Sequence, residues 1–205
     1  MTKEKYIEDL QEIRSIMSRS SRFISLSGLS GIIAGVLALV GLYLAYETVY
    51  AGQDYLSYRT ARLNRAIFWQ LIAIASTLIV LAIGSGILLT RRKAQRENEK
   101  LWDAQSKRLL INLFIPLLTG GVLCIILLSK GLIGLVPPIT LIFYGLALIN
   151  ASKYTLSEIR SLGIIEVSIG LVACVFEGYS LLFWGIGFGI LHIIYGVIMH
   201  LKYDA

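Results

Sequence analysis

Residues 109–152 read LLINLFIPLLTGGVLCIILLSKGLIGLVPPITLIFYGLALINAS, with Lys130 as the single charged side chain. The uncharged runs on either side of Lys130 are each about 20 residues long, the length that an α-helix needs to cross a hydrocarbon core of about 30 Å. In lipid, a crossing segment must satisfy its backbone hydrogen bonds internally, so runs of this length are predicted to be helices. This stretch therefore predicts two consecutive transmembrane helices.

Similar apolar runs recur along the whole chain. Together they predict an all-α integral membrane protein with six transmembrane helices, at about 23–46, 66–90, 109–129, 131–152, 161–177 and 179–200. Glu166 interrupts the fifth run, and the sixth contains His192 and His200. Because 56% of the 205 residues are hydrophobic and the mean hydropathy is +0.73, one membrane domain at 23–201 accounts for nearly the entire chain.

The formal net charge of +6 arises from unevenly distributed Lys and Arg residues. Of the 19 basic residues, 15 lie on one side of the predicted spans: before the first span, between the second and third, between the fourth and fifth, or after the sixth. The four on the other side are Arg59, Arg62, Arg65 and Lys130. Cytoplasmic loops of membrane proteins retain Lys and Arg, so both termini are predicted to be cytoplasmic. The basic charge is thus a topology signal, and nucleic-acid binding is not expected.

Two charged segments flank the predicted spans. Residues 1–22 carry apolar side chains at helical spacing between charged ones, which predicts an amphipathic helix on the inner membrane surface. Residues 91–108 are charged and rich in helix formers, which predicts a cytoplasmic extension of two neighbouring helices. Membrane lipids are the expected partners. A cytoplasmic protein bound through 1–22 or 91–108, and a homo-oligomer, remain open alternatives.

Small residues recur at intervals of four in two spans. Ser27, Gly31 and Gly35 lie in the first, and Gly185 and Gly189 in the sixth. This spacing lets helix backbones approach closely, so these residues are predicted to pack helices together, within one subunit or between subunits.

Prolines are expected to interrupt two of the helices. Pro116 falls within the third run, and the pair Pro137-Pro138 within the fourth. A proline inside a helix displaces the carbonyl group four residues earlier, which leaves the carbonyl of Asn112 weakly satisfied. We interpret these sites as kinks.

Glu166 and His192 are the most distinctive polar residues within the spans. They lie about 8 Å and about 10 Å from the inner ends of two consecutive antiparallel helices. A carboxylate in lipid is costly unless it is paired or protonated, so the two side chains are predicted to face each other within hydrogen-bond reach. Tyr144, Asn112 and Tyr195 are predicted to lie in the same layer. The cluster is either a pH-responsive or polar pathway, or a purely structural contact between helices.

Short motifs repeat between the spans. Odd-numbered spans contain AGVLA at 34–38, GGVLC at 120–124 and IGLVA at 169–173, and even-numbered spans contain YGL at 144–146 and YGV at 195–197. The matches predict three αα-hairpins. This pattern resembles the HdeD-like family of small bacterial membrane proteins, best over 117–203. The resemblance implies a six-helix protein of the bacterial inner membrane that is associated with acid resistance, and it supplies no catalytic residues.

Enzyme signatures are missing from the sequence. It contains no HExxH motif, no metal-ligating Cys/His spacing and no phosphate-binding loop, so no catalytic residue, metal or cofactor is predicted. We therefore expect a non-enzymatic inner-membrane protein that senses or regulates a response to stress. The alternative is a small channel or transporter for a solute or ion, including a proton-coupled one.

Overall fold

The computed structural model describes residues 27–50, 64–96, 102 and 104–203, and this part of the chain is helical without strands. The helices are α1 (Gly28–Tyr50), α2 (Arg65–Arg96), α3 (Ala104–Ser129), α4 (Val136–Ala151), α5 (Ser157–Val175) and α6 (Ser180–Tyr203). Short 3₁₀ turns at Ile133–Leu135, Ser152–Tyr154 and Glu177–Tyr179 join the later helices. The predicted amphipathic helix at 1–22 lies outside the described residues, as does the middle of the charged segment at 97–101.

Five of the described helical segments are long and apolar enough to cross a membrane. They are Gly28–Val49, Arg65–Arg96, Ala104–Ser129, Ile133–Tyr154 and Ser180–Tyr203. The 19-residue α5 is not among them, because Glu158, Arg160 and Glu166 all lie within it. The architecture is therefore compatible with a multi-pass membrane protein, whereas the predicted count of six spans is not confirmed.

Helices α1 and α6 pack together through small residues. A Cβ atom at Gly35 would lie 2.7 Å from the carbonyl oxygen of Gly189, and one at Gly31 would lie 3.1 Å from Cα of Gly196. Gly185 and Gly189 in turn contact leucine side chains of α1, and Ser27 is buried at the start of that helix. Four of the five small residues singled out in the sequence thus belong to the two helices of this antiparallel pair, and Ser27 directly precedes α1.

Helices α4 and α5 approach each other just as closely. A Cβ at Gly145 would lie 2.5 Å from the carbonyl oxygen of Gly163, and a Cβ at Gly163 would lie 2.7 Å from the carbonyl oxygen of Gly145. Farther along the pair, a Cβ at Gly170 would lie 3.0 Å from the carbonyl oxygen of Pro138. These reciprocal contacts leave no room for side chains, so backbone-to-backbone packing holds the pair together.

The main helix contacts do not follow the order of the chain throughout. Helix α2 packs on α1 and α3 on α4, whereas α5 packs chiefly on α4 and α6 chiefly on α1. The predicted arrangement of three αα-hairpins is therefore not confirmed.

Helices α4 and α6 run parallel. Thr140 of α4 contacts Trp184, and Tyr144, one turn later in α4, contacts His192, which also comes later in α6.

The two ends of the bundle differ in chemistry. At one end, Lys93 of α2 donates a 3.1 Å hydrogen bond to the carbonyl oxygen of Tyr203, the last described residue of α6. We call this the basic end, because it holds nearly all the described Lys and Arg residues. At the opposite end, Leu128 and Ile133 form an apolar cluster with residues that include Phe68 and Leu181.

The prolines affect the two helices differently. Pro116 lies inside α3, and the carbonyl oxygen of Asn112 that it displaces accepts a 2.9 Å hydrogen bond from Nδ2 of Asn150 on α4. Pro137 and Pro138 occupy the first turn of α4, where a missing N–H costs no intrahelical hydrogen bond. The pair therefore does not break the hydrogen bonding of α4, and the change from the 3₁₀ turn Ile133–Leu135 to α-helix lies directly before it.

Gly145→Ala is expected to lower the free energy of unfolding by about 1–3 kcal/mol, because the added methyl group would force α4 and α5 apart. Gly121→Ala is the matched control, since a Cβ there meets no atom within 4 Å. Reversible unfolding in mixed micelles measures both variants. An equal effect of the two substitutions would show that the α4–α5 contact does not limit stability.

Candidate functional site

Glu166 lies in the middle of α5 and is fully buried. It lies on the same helical face as Gly163 and Gly170, three and four residues away, so the contact that brings α5 onto α4 also draws the carboxyl group inward. Neither carboxyl oxygen has a hydrogen-bond partner in the described part of the chain. A buried carboxyl group without a partner is stable only when neutral or when a donor or cation can reach it.

His192 lies on α6 with its ring against Glu166. Its Nδ1 atom is 3.0 Å from the carbonyl oxygen of Gly187 and 3.4 Å from Oε1 of Glu166. A carbonyl oxygen only accepts hydrogen bonds, so Nδ1 carries a proton and donates it to Gly187. At the other ring nitrogen, the hydroxyl group of Tyr144 lies 2.8 Å from Nε2 and donates to it when the imidazole is neutral.

The local backbone of α6 makes room for the carboxyl group. Residues Gly185–Leu191 form a π-helical segment, a feature that is frequent at functional sites. A Cβ at Gly187 would lie 2.5 Å from Oε2 of Glu166 and 2.5 Å from Cδ2 of Leu141. Gly187 therefore has two roles: its lack of a side chain accommodates Glu166, and its carbonyl oxygen accepts the hydrogen bond from Nδ1–H of His192.

An aromatic column closes the site on the side of α4. The ring centroid of Phe188 lies 4.8 Å from that of Tyr144, 5.0 Å from that of Trp184 and 5.7 Å from that of His192. Nε1 of Trp184 donates a 3.1 Å hydrogen bond to Oγ1 of Thr140, one helical turn before Tyr144. These contacts fix α4 against α6 and place the ring of Phe188 beside those of His192 and Tyr144.

The structure brings together three of the five polar residues selected from the sequence: Glu166, His192 and Tyr144. Asn112 instead donates from its side chain to the carbonyl oxygen of Arg108, and Tyr195 packs against an apolar cluster that includes Met199. Sequence reasoning missed Gly187. The spacing of Gly185, Gly187 and Gly189 was the available signal, since alternate glycines are unusual on the packed face of a regular helix.

An ion pair at the basic end joins α5 to α6. Nζ of Lys202 lies 2.5 Å from Oε1 of Glu158, which also accepts a 3.0 Å hydrogen bond from the hydroxyl group of Tyr203. The hydrogen bond from Lys202 is the main reason why the pKa of Glu158 falls to about 2. With the Lys93 contact to the carbonyl oxygen of Tyr203, this pair ties the end of α6 to both α5 and α2.

The stabilisation by this ion pair is expected to be present at neutral pH and to disappear on acidification. Since folding lowers the pKa of Glu158 from 4.5 to about 2, the contribution is complete above pH 4.5 and is lost as the pH falls to about 2. Glu158→Gln should therefore reduce stability at neutral pH, and its deficit relative to the unsubstituted protein should shrink across this window. A pH-independent deficit in thermal unfolding would contradict this assignment.

The chain was compared with family models, curated proteins and solved structures, and none of them matches it. The similarity to the HdeD-like family therefore stays a prediction. Within the described residues, no group of three or more His, Cys, Asp and Glu side chains is placed to hold a metal ion.

Proposed function

We propose that the protein is a non-enzymatic sensor or regulator in the bacterial inner membrane, and that protonation of Glu166 is the signal it responds to. The observation that supports this most strongly is a fully buried carboxyl group with no hydrogen-bond partner, placed 3.4 Å from Nδ1 of His192. The titratable side chains beside it are His192 on α6 and, beyond the imidazole, Tyr144 on α4.

The response would come from one proton donor shared between two acceptors. While Glu166 is a neutral acid, Nδ1–H of His192 donates to the carbonyl oxygen of Gly187. Loss of the carboxyl proton creates a buried carboxylate, which attracts the same N–H because charge-assisted hydrogen bonds are about twice as strong as neutral ones. Gly187 then loses its donor, and the π-helical segment Gly185–Leu191 is the element expected to rearrange.

The remaining parts of the proposal concern topology and biological role. We take α5 from residue 161 onward as a sixth span, because it packs between α4 and α6 and its one charged residue, Glu166, is buried. Glu158 and Arg160 precede this part of the helix, at the basic end. The excess of Lys and Arg at that end favours a cytoplasmic location for it, and with it for both termini. The association with stress follows from the resemblance to the HdeD-like family.

Fluorescence of Trp184 offers a direct readout of the cluster. Trp184 packs on Phe188, which lies next to His192, and Trp69→Phe with Trp102→Phe leaves it as the single tryptophan of the chain. In this background we expect a reversible pH-dependent change in Trp184 emission that Glu166→Gln abolishes. Glu158→Gln, which removes another carboxylate from α5, should retain the transition.

Two further measurements separate this proposal from its alternatives. Glu166→Leu should also fold and lack the transition, because the carboxyl oxygens make no hydrogen bond that the leucine would lose. A transition that persists in folded Glu166→Gln and Glu166→Leu would reduce the cluster to a structural contact. Proton or ion flux through proteoliposomes that depends on Glu166 would instead support the channel or transporter.

Cysteine labelling in intact cells tests the orientation. In a background without Cys124 and Cys174, a cysteine at Tyr55 should react with an impermeant reagent from outside. Cysteines at Lys5, Glu97 and Asp204 should react only after the membrane is permeabilised. External reactivity at position 97 would overturn the six-span topology.

A further inference from the structure

An open groove of about 500 Å³ lies at the end of the bundle opposite the basic end. Its walls come from the start of α2, with Arg65 and Trp69, and from the turn after α3, with Lys130; Phe68 and Leu128 line it as well. Phe68 and Leu128 also belong to the apolar cluster at this end, so this part of the groove lies on packed side chains.

The backbone fixes both walls. Gly131 has a φ of 77°, and the N–H groups of Gly131 and Leu132 donate to the carbonyl oxygens of Leu128 and Leu127, the pattern of a Schellman motif. This motif ends α3 and directs the chain past Lys130 into the next turn. On the other side, Oδ1 of Asn64 accepts a 2.8 Å hydrogen bond from the N–H of Ile67 and caps the start of α2.

Two positive charges lie in the groove, and no acidic side chain is among the described residues that line it. Arg65 and Lys130 are both exposed, and within the described ranges neither forms an ion pair. They are also the only Lys or Arg residues that the described chain places at this end. Glu47 of α1 is not among the lining residues. The charge that the described residues give the groove is therefore complementary to an anion.

The surroundings of the groove favour a lipid as the source of that anion. Arg65 begins and Lys130 follows the long uncharged stretches of α2 and α3, which places both charges at the boundary of the apolar region. Trp69, 58% exposed, has the character of an interfacial anchor. Farther along, the exposed side chains of α3 include Val122 and Ile125, a surface suited to acyl chains.

We propose that this groove binds an anionic phospholipid, with its headgroup phosphate between Arg65 and Lys130 and its acyl chains along α2 and α3. Arg forms bidentate charge-assisted hydrogen bonds with phosphate oxygens, and Lys binds phosphate as a point charge. The proposal does not depend on Glu166, which lies in the middle of α5, and so it can fail or succeed independently of the proposed function.

Native mass spectrometry of the 205-residue chain in detergent, titrated with phosphatidylglycerol, tests this site. Removal of both charges in Arg65→Gln/Lys130→Gln should weaken lipid binding by about fivefold for each charge. The matched control is Lys107→Gln/Lys153→Gln, which removes two exposed charges from the basic end. It should leave the affinity of the groove unchanged. Circular dichroism checks that both variants remain folded.

Three outcomes would overturn the proposal. Equal loss of binding in the two double variants would mean that net charge, rather than the groove, attracts the lipid. Equal affinity for phosphatidylcholine would remove the role of headgroup charge. Displacement of the lipid by millimolar inorganic phosphate would show that the groove binds a free anion, with no contribution from the acyl chains.

Discussion

Close backbone contact between glycine-bearing helices is the constraint on which the site depends. Gly145 and Gly163 bring α5 onto α4, and Glu166 shares the contact face of α5 with Gly163. A wider separation would give its carboxyl group access to lipid headgroups or water. At the observed separation the carboxyl group is fully buried, and it lies where a side chain at Gly187 of α6 would otherwise project. The polar chemistry of the site is thus a consequence of apolar packing.

Burial of this kind is energetically unfavourable and therefore informative. An isolated carboxylate in a medium of low dielectric constant costs many kcal/mol, whereas the neutral acid costs far less. The surrounding groups are arranged so that His192 can donate to either of two acceptors, while Tyr144 holds the other ring nitrogen. A purely structural contact would be expected to satisfy the carboxyl oxygens with direct hydrogen bonds.

The position of a residue along its helix could be predicted from the sequence, whereas the neighbouring helix that its side chain faces could not. The rise of 1.5 Å per residue placed Glu166 and His192 at matching depths, and the structure brings them together. Asn112 and Tyr195 were selected by the same argument, yet Asn112 donates to the carbonyl oxygen of Arg108, and Tyr195 packs against an apolar cluster that Tyr144 also contacts. Uniformly apolar helices carry little information about which neighbour each face meets, so the pairing of α6 with α1 could not be derived. A projection with 3.6 residues per turn also could not predict the π-helical segment Gly185–Leu191, which positions Gly187.

The protonation state of Glu166 is the quantity on which this account depends, and infrared difference spectroscopy observes it directly. The spectrum of the protein minus that of Glu166→Gln should contain the carbonyl-stretch band of a protonated carboxyl group, which disappears reversibly as the pH is raised. A carboxylate signature of Glu166 at every pH, or a protonated band that no pH change removes, would contradict the assignment of this residue as the proton-responsive group.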